Sequence, residues 1–129
     1  MKLRVGNLCY FEHENIKEEV IIAGYIGDYY LVKDDAESLD LRRVSYSDLK
    51  PIPINEWNIG ILDFVQKDYL RTIWDVKQHD AVLYMNGQYE VWKWSDYCSW
   101  CFRKRDATFV LKVHYVHEVQ NLIEVLNDL

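Results

Sequence analysis

The chain has 129 residues, half of them hydrophobic and 15% aromatic, with ten Tyr, five Trp and a formal net charge of −6. That much apolar side chain offsets the entropy of ordering, which excludes a disordered chain, and the length fits one domain. The acidic balance disfavours a general nucleic-acid binder, whose phosphate contacts need clustered Lys and Arg, and no apolar run is long enough for a membrane span.

In chain order, Leu3, Val5, Leu8, Tyr10 and Phe11 read as a short strand interrupted at Gly6–Asn7, a dipeptide suited to a bend or bulge. Glu12 to Lys17 is polar and reads as a loop. Val20–Ile26 and Tyr29–Lys33 are β-branched and aromatic runs split by Gly27–Asp28, a hairpin signal. An acidic turn follows over Asp34 to Ser38. Leu39 and Leu41, alternating with Asp40 and Arg42, then predict a further strand that extends into Arg43–Tyr46. Closely spaced short strands of this kind predict a small curled sheet or a unit that is barrel-like in the SH3 sense.

Pro51 and Pro53 fix an extended path and push their predecessors out of helical geometry. Asn55 is placed to cap a helix, with Ile54 and Ile59 in staple positions and Trp57, Ile61, Phe64 and Val65 on one apolar face. Gly60 shortens that helix, and Trp57 is the expected anchor. Tyr69–Val76, Ala81–Met85, Tyr89–Trp94 and Trp100–Lys104 then read as strands, with Asn86–Gly87 as a hairpin turn. Thr108–Tyr115 alternates, with Phe109, Leu111, Val113 and Tyr115 on the face expected to be buried. Val116–Leu129 carries Val116, Val119, Leu122, Ile123 and Leu126 on one helical face. The fold class expected is α+β: a strand-rich, barrel-like N-terminal unit, then a helix, an antiparallel sheet and a C-terminal amphipathic helix. One domain over 1–129, with sub-lobes 1–54 and 55–129, is the simplest organisation.

Three segments carry a resemblance. LRVGNLCYF, LKPIPINEWNIGILDF and VHYVHEVQNLIEVL resemble a family of small uncharacterised proteins of gut Bacteroidetes, such as Bacteroides, and of their phages and mobile elements. That family opens on L-R-x-G-N, carries I-K-P-I-P-L-T-E-E-W-L before a helix, and closes on Y-V-H-Q-L-Q-N-L-Y. Leu3, Arg4, Gly6 and Asn7 match the first motif. Lys50 to Pro53, Glu56 and Trp57 match the second, and Tyr115, Val116, His117, Gln120, Asn121 and Leu122 the third. The tryptophan here sits one position earlier relative to the prolines, and Asp63 stands where the family has glycine. The resemblance implies a compact α+β protein with no assigned activity.

No phosphate-cradling glycine loop, nucleophile elbow or HExxH pattern is present, and no catalytic residue is nominated. Cys98 and Cys101 have the spacing of a redox pair or half a zinc site. They lack a surrounding βαβ pattern, however, and a zinc site needs two more ligands, such as Cys9 and a histidine. An odd cysteine count without disulfide-type spacing reads as reduced thiols, and MKLRVGNLCYFEHE lacks the apolar core of a signal peptide, so a cytoplasmic setting is expected. His114 and His117 straddle a strand–helix junction, where His117 reads as making a capping or local hydrogen bond, and Gln120 and Asn121 read as partners for backbone groups. The acidic pairs Glu18–Glu19 and Asp34–Asp35 read as solvated turns.

The candidate binding residues are Trp92, Trp94, Trp100, Arg103, Arg105, His117 and Gln120. The three tryptophans belong to an aromatic stretch, Tyr89–Phe102, beside the Arg103–Arg105 strip. They form either a filled core or an exposed platform for bases or peptides. The reading favoured is a non-enzymatic module for protein–protein binding or self-association, with no cofactor, metal or membrane partner. Nucleic-acid binding through the aromatic and basic strip is the alternative, and a thiol- or zinc-dependent protein a further one.

Overall fold

The computed structural model describes residues 3–74, 76–95 and 99–127, the side chain of Trp74 excepted. It is an α+β fold of two five-stranded antiparallel sheets and one helix. The first sheet holds β1 (Leu8–His13), β2 (Ile16–Ile26), β3 (Tyr29–Lys33), β4 (Arg42–Ser45) and β5 (Leu49–Lys50), in the order β4-β3-β2-β1-β5. The second holds β6 (Val65–Trp74), β7 (Lys77–Asn86), β8 (Tyr89–Trp94), β9 (Trp100–Lys104) and β10 (Leu111–Val113), in the order β10-β9-β8-β7-β6. The helix, α1, spans Val116–Asn127. The chain divides into two compact units: Met1–Pro53 with Tyr115–Asn121, and Ile54–His114 with Leu122–Leu129.

In the first unit the sheet is open, with β4 and β5 at its edges, so there is no closed barrel among the described residues. Cys9, Val20, Ile22, Val32, Val44 and Leu49 form the core with Leu3, and Phe11 and Tyr30 pack against them. The expected loop over Glu12 to Lys17 is instead a tight hairpin. Glu14 and Asn15 both take positive φ, 48° and 68°, as the twist-matched two-residue turn requires. Gly27–Asp28 turns as read, with Gly27 left-handed at 56°. Leu39 and Leu41 are not strand residues: Leu39 is 95% exposed, and pairing begins only at Arg42, opposite Val32. Arg42 bonds Asp34 at 2.8 Å and Glu18 at 3.2 Å, which fixes the start of β4 where an aliphatic alternation placed it earlier.

The helix expected after the prolines is reduced to a four-residue 3-10 turn, Ile59–Leu62. Its nucleation signal is real, because Asn55 Oδ1 accepts from the amides of Trp57 (2.9 Å) and Asn58 (2.7 Å). Propagation fails where Gly60 and β-branched isoleucines lower helix propensity and Asp63 ends the turn at φ 62°. Ile54, Ile59 and Phe64 are buried, but Trp57 is 80% exposed and anchors nothing.

In the second unit each face of the sheet buries a different set. Ala81, Leu83 and Trp92 form one cluster, with Leu70, Met85, Trp94 and Cys101 packed against it. Val91, Trp100, Phe102 and Val113 are buried on the opposite face, where Tyr89 donates from its hydroxyl to Asn127 Oδ1 near the end of α1. The β7–β8 turn falls one residue later than read, on Gly87–Gln88, because Asn86 still pairs with Tyr89 and Gly87 supplies the positive φ of 57°. The strand expected over Thr108–Tyr115 shortens to β10, and of its supposed buried face only Val113 is buried.

Val76, in the β6–β7 turn, sits fully exposed at φ 55°, a conformation that costs a β-branched residue on the order of 1–3 kcal/mol. Val76→Gly is therefore expected to raise stability by about 1 kcal/mol after the flexibility of glycine is subtracted, read as a higher urea midpoint. An unchanged or lower midpoint rejects this strain.

Candidate protein-interaction surface

The aromatic stretch of β8 and β9 is mostly core. Trp92 and Trp100 are buried, on opposite faces of the sheet, and Trp94 is half-buried beside Ala81. Arg103 lies 5.3 Å from the Trp92 ring centroid and bonds the buried carboxylate of Glu90 at 2.9 Å. Its charge is thus committed within the sheet. Arg105 is exposed in the turn after β9, its amide bonded to the Gln88 carbonyl at 2.6 Å. A stacking platform needs open ring faces, and of the three tryptophans only Trp94 keeps part of one.

His117 and Gln120 belong to the first unit, where the helix meets the opening turn. Gln120 Oε1 accepts from the Leu8 amide at 2.9 Å, and its Nε2 donates to the Gly6 carbonyl at 3.3 Å. It thus mimics a strand partner across Gly6–Leu8, and the turn itself depends on Gly6 at φ 93°. Asn7, 2% exposed, accepts from the Arg4 amide at 2.7 Å and donates to Asn121 Oδ1 at 2.8 Å. Ile52 accepts from the Val116 amide, and Pro53 forms a bridge with Tyr115. The three segments that carry the sequence resemblance therefore meet here, in bonds that hold the fold together.

The helix start is capped by Glu118, whose carboxylate accepts from the Tyr115 amide, rather than by His117. His117 is 5% exposed, stacks on Tyr115 with ring centroids 5.8 Å apart, and leaves Nδ1 without a partner. Burial pushes its pKa below the ordinary value, against the opposing pull of Glu118. Above about pH 6.5 the imidazole is neutral both folded and unfolded, and pH has no effect through it. As pH falls below that value, the unfolded chain binds a proton that the folded chain resists. Stability should then fall until the lowered folded pKa is passed. His117→Gln is expected to flatten the wild-type decline between pH 7 and 5 in urea titrations, and parallel profiles count against this role.

Cys9 is fully buried, and its thiol is pushed up to about 12 by desolvation. Burial also raises Cys101, partly offset by Lys112, so neither has the lowered pKa of a reactive thiol. Cys98 lies outside the described residues, and so does any question of its pairing with Cys101. Among the described residues no three His, Cys, Asp or Glu side chains gather as a metal site. No described helix is long and apolar enough to cross a membrane.

What remains is an edge. β6 ends the second sheet, and every described side chain along it except Leu70 is exposed. Tyr69 and Ile73, at 70% and 71% exposure, flank Arg71 on one face, and Arg71 bonds Asp80 of β7 at 3.0 Å. An open trough of about 750 Å³ lies there, lined by Tyr69, Arg71, Asp80, Val82, Lys93 and Ser95. Thr72–Trp74 ladder with Lys77–His79, and the described ladder from β7 to β8 begins at Ala81. The sequence marked part of β6 as a strand, but its edge position depends on pairing order, which alternation does not encode. The interleaving of Tyr69 and Ile73 with Lys67, Asp68 and Arg71 is the signal that could have marked it.

No protein-family model matches the chain, and no match is found among curated proteins or solved structures.

Proposed function

We propose that the protein is a non-enzymatic interaction module that takes an extended protein strand along the free edge of β6. The observation that carries this reading is β6 itself: ten residues long, with no strand paired on one side among the described residues, and with Tyr69 and Ile73 exposed. An open edge presents a row of unmade backbone hydrogen bonds, which an added strand satisfies while its side chains read the neighbouring surface. Service to a phage or mobile-element process, as the sequence resemblance implies, is part of the same proposal.

Selection of a displayed random-peptide library on the protein tests this. Enriched peptides are expected to be extended and β-prone, to lose binding to Tyr69→Lys/Ile73→Lys protein, and to slow hydrogen exchange of β6 amides. A library that yields no such peptide, or peptides indifferent to both substitutions, rejects the edge as the site.

A further inference from the structure

We infer that this chain associates head to tail, with the acidic segment 34–41 of one copy docked on the basic segment 103–112 of the next. The contact stands apart from the β6 edge and does not rest on it. Residues 34–41, in the first unit, link β3 to β4, and Leu39 and Leu41 are exposed there. Asp34 is neutralised by Arg42, but Asp35, Glu37 and Asp40 form no ion pair among the described residues, and the neighbouring Lys33 ammonium bonds the Ala36 carbonyl instead. Residues 103–112, in the second unit, have the opposite sign. Arg103 is neutralised by Glu90, while Lys104, Arg105 and Lys112 meet no carboxylate among the described residues. Beside them, Phe109, Val110 and Leu111 form the longest consecutive run of exposed large apolar side chains among the described residues.

The two segments complement each other in both chemistries. Beside its exposed leucines, the first sets the unpaired Asp35, Glu37 and Asp40 against Lys33. The second sets Lys104, Arg105 and Lys112 against Asp106, around its own apolar run. Docking them removes apolar surface from water on both sides and brings unlike charges together. Every copy carries both halves, so each always has its match at equal concentration. Copies of net charge −6 repel at long range, but salt screens that repulsion beyond about 8 Å while charges in contact lie within it. Because the two surfaces differ, each docked pair leaves one of each kind free, and growth stops at two copies only if something blocks a surface. Segments this short cover less area than a tight complex needs, so the association is weak, on the order of 0.1 mM.

Sedimentation equilibrium of the full chain over a range of concentrations tests this. The wild-type average mass is expected to rise with concentration and to pass twice that of the monomer. Leu39→Gln/Asp40→Asn spoils the acidic segment, and Val110→Gln/Lys112→Gln spoils the basic one. All four positions are exposed, so both variants should keep the wild-type urea midpoint. Each variant alone should associate at least several-fold more weakly than wild type. Mixed together, each keeps the surface that the other lacks, so the mixture should associate again and stop at two copies. A wild-type chain that stays monomeric well above that concentration overturns head-to-tail docking, and so does a mixture no more associated than its separate components. Association that survives both variants but is lost in Tyr69→Lys/Ile73→Lys protein belongs to β6. That result also overturns this docking, while leaving the edge-binding reading in place.

Discussion

Phe102→Ala is expected to destabilise the second unit by about 3–5 kcal/mol, the usual range for emptying a buried aromatic site. Phe102 is fully buried, pairs with Val91 of β8 and Leu111 of β10, and stacks on Tyr89 with ring centroids 5.8 Å apart. Its loss takes away transferred apolar surface and ring contact together, and well-packed strands on both sides restrict collapse into the space. Phe109 supplies the comparison. The sequence pattern put it on a buried face, yet it is 40% exposed, so Phe109→Ala should change stability by no more than about 0.5 kcal/mol. Urea unfolding followed by tryptophan fluorescence measures both, because all five tryptophans lie between residues 57 and 100, within the second unit. Equal midpoints for the two variants reject the assigned core.

Asn7→Ala is expected to cost the first unit about 2–3 kcal/mol. The change leaves the Arg4 amide and the Asn121 carboxamide without the bonds that Asn7, itself 2% exposed, makes at 2.7 and 2.8 Å. Asn121→Ala removes only the second of these, so it should cost less. The double variant should cost less than the sum of the two, by about 1 kcal/mol of coupling. Circular dichroism or tyrosine fluorescence reads this unit, which has no tryptophan. Strict additivity rejects the Asn7–Asn121 bond.

Local chemistry was legible and long-range order was not. Gly27–Asp28 announced its hairpin because left-handed backbone favours glycine, and β9 spans Trp100–Lys104, the run read as a strand. Asn55 was recognised as a cap and makes both capping bonds, but a cap starts a helix without guaranteeing that Gly60 and Asp63 let it continue. Trp57 and Leu39 were read as packed because they are large and apolar, while burial depends on which strand arrives opposite them. Of the two readings of the aromatic stretch, the filled core holds for Trp92 and Trp100, which alternate with other large rings because both faces of their sheet are buried. Gln120 serves backbone groups as its sequence reading expects, but which groups it bonds, and the tie of Asn7 to Asn121, lay beyond reach because these partners are more than a hundred positions away in sequence.

The Asn7–Asn121 and Gln120 bonds also set an order of events during synthesis. The five strands of the first sheet leave the ribosome early, yet the turn before β1 stays without its side-chain clamp until residues 115–121 follow. The second sheet, contained between residues 65 and 113, has all its strands available before that. The Leu8 amide, the Gly6 carbonyl and the Asn7 side chain thus wait for Gln120 and Asn121 for most of translation, although Gly6 and Asn7 can already bond Ile22 of β2. Slowing elongation after residue 113 should lengthen that interval and raise sensitivity to proteases there.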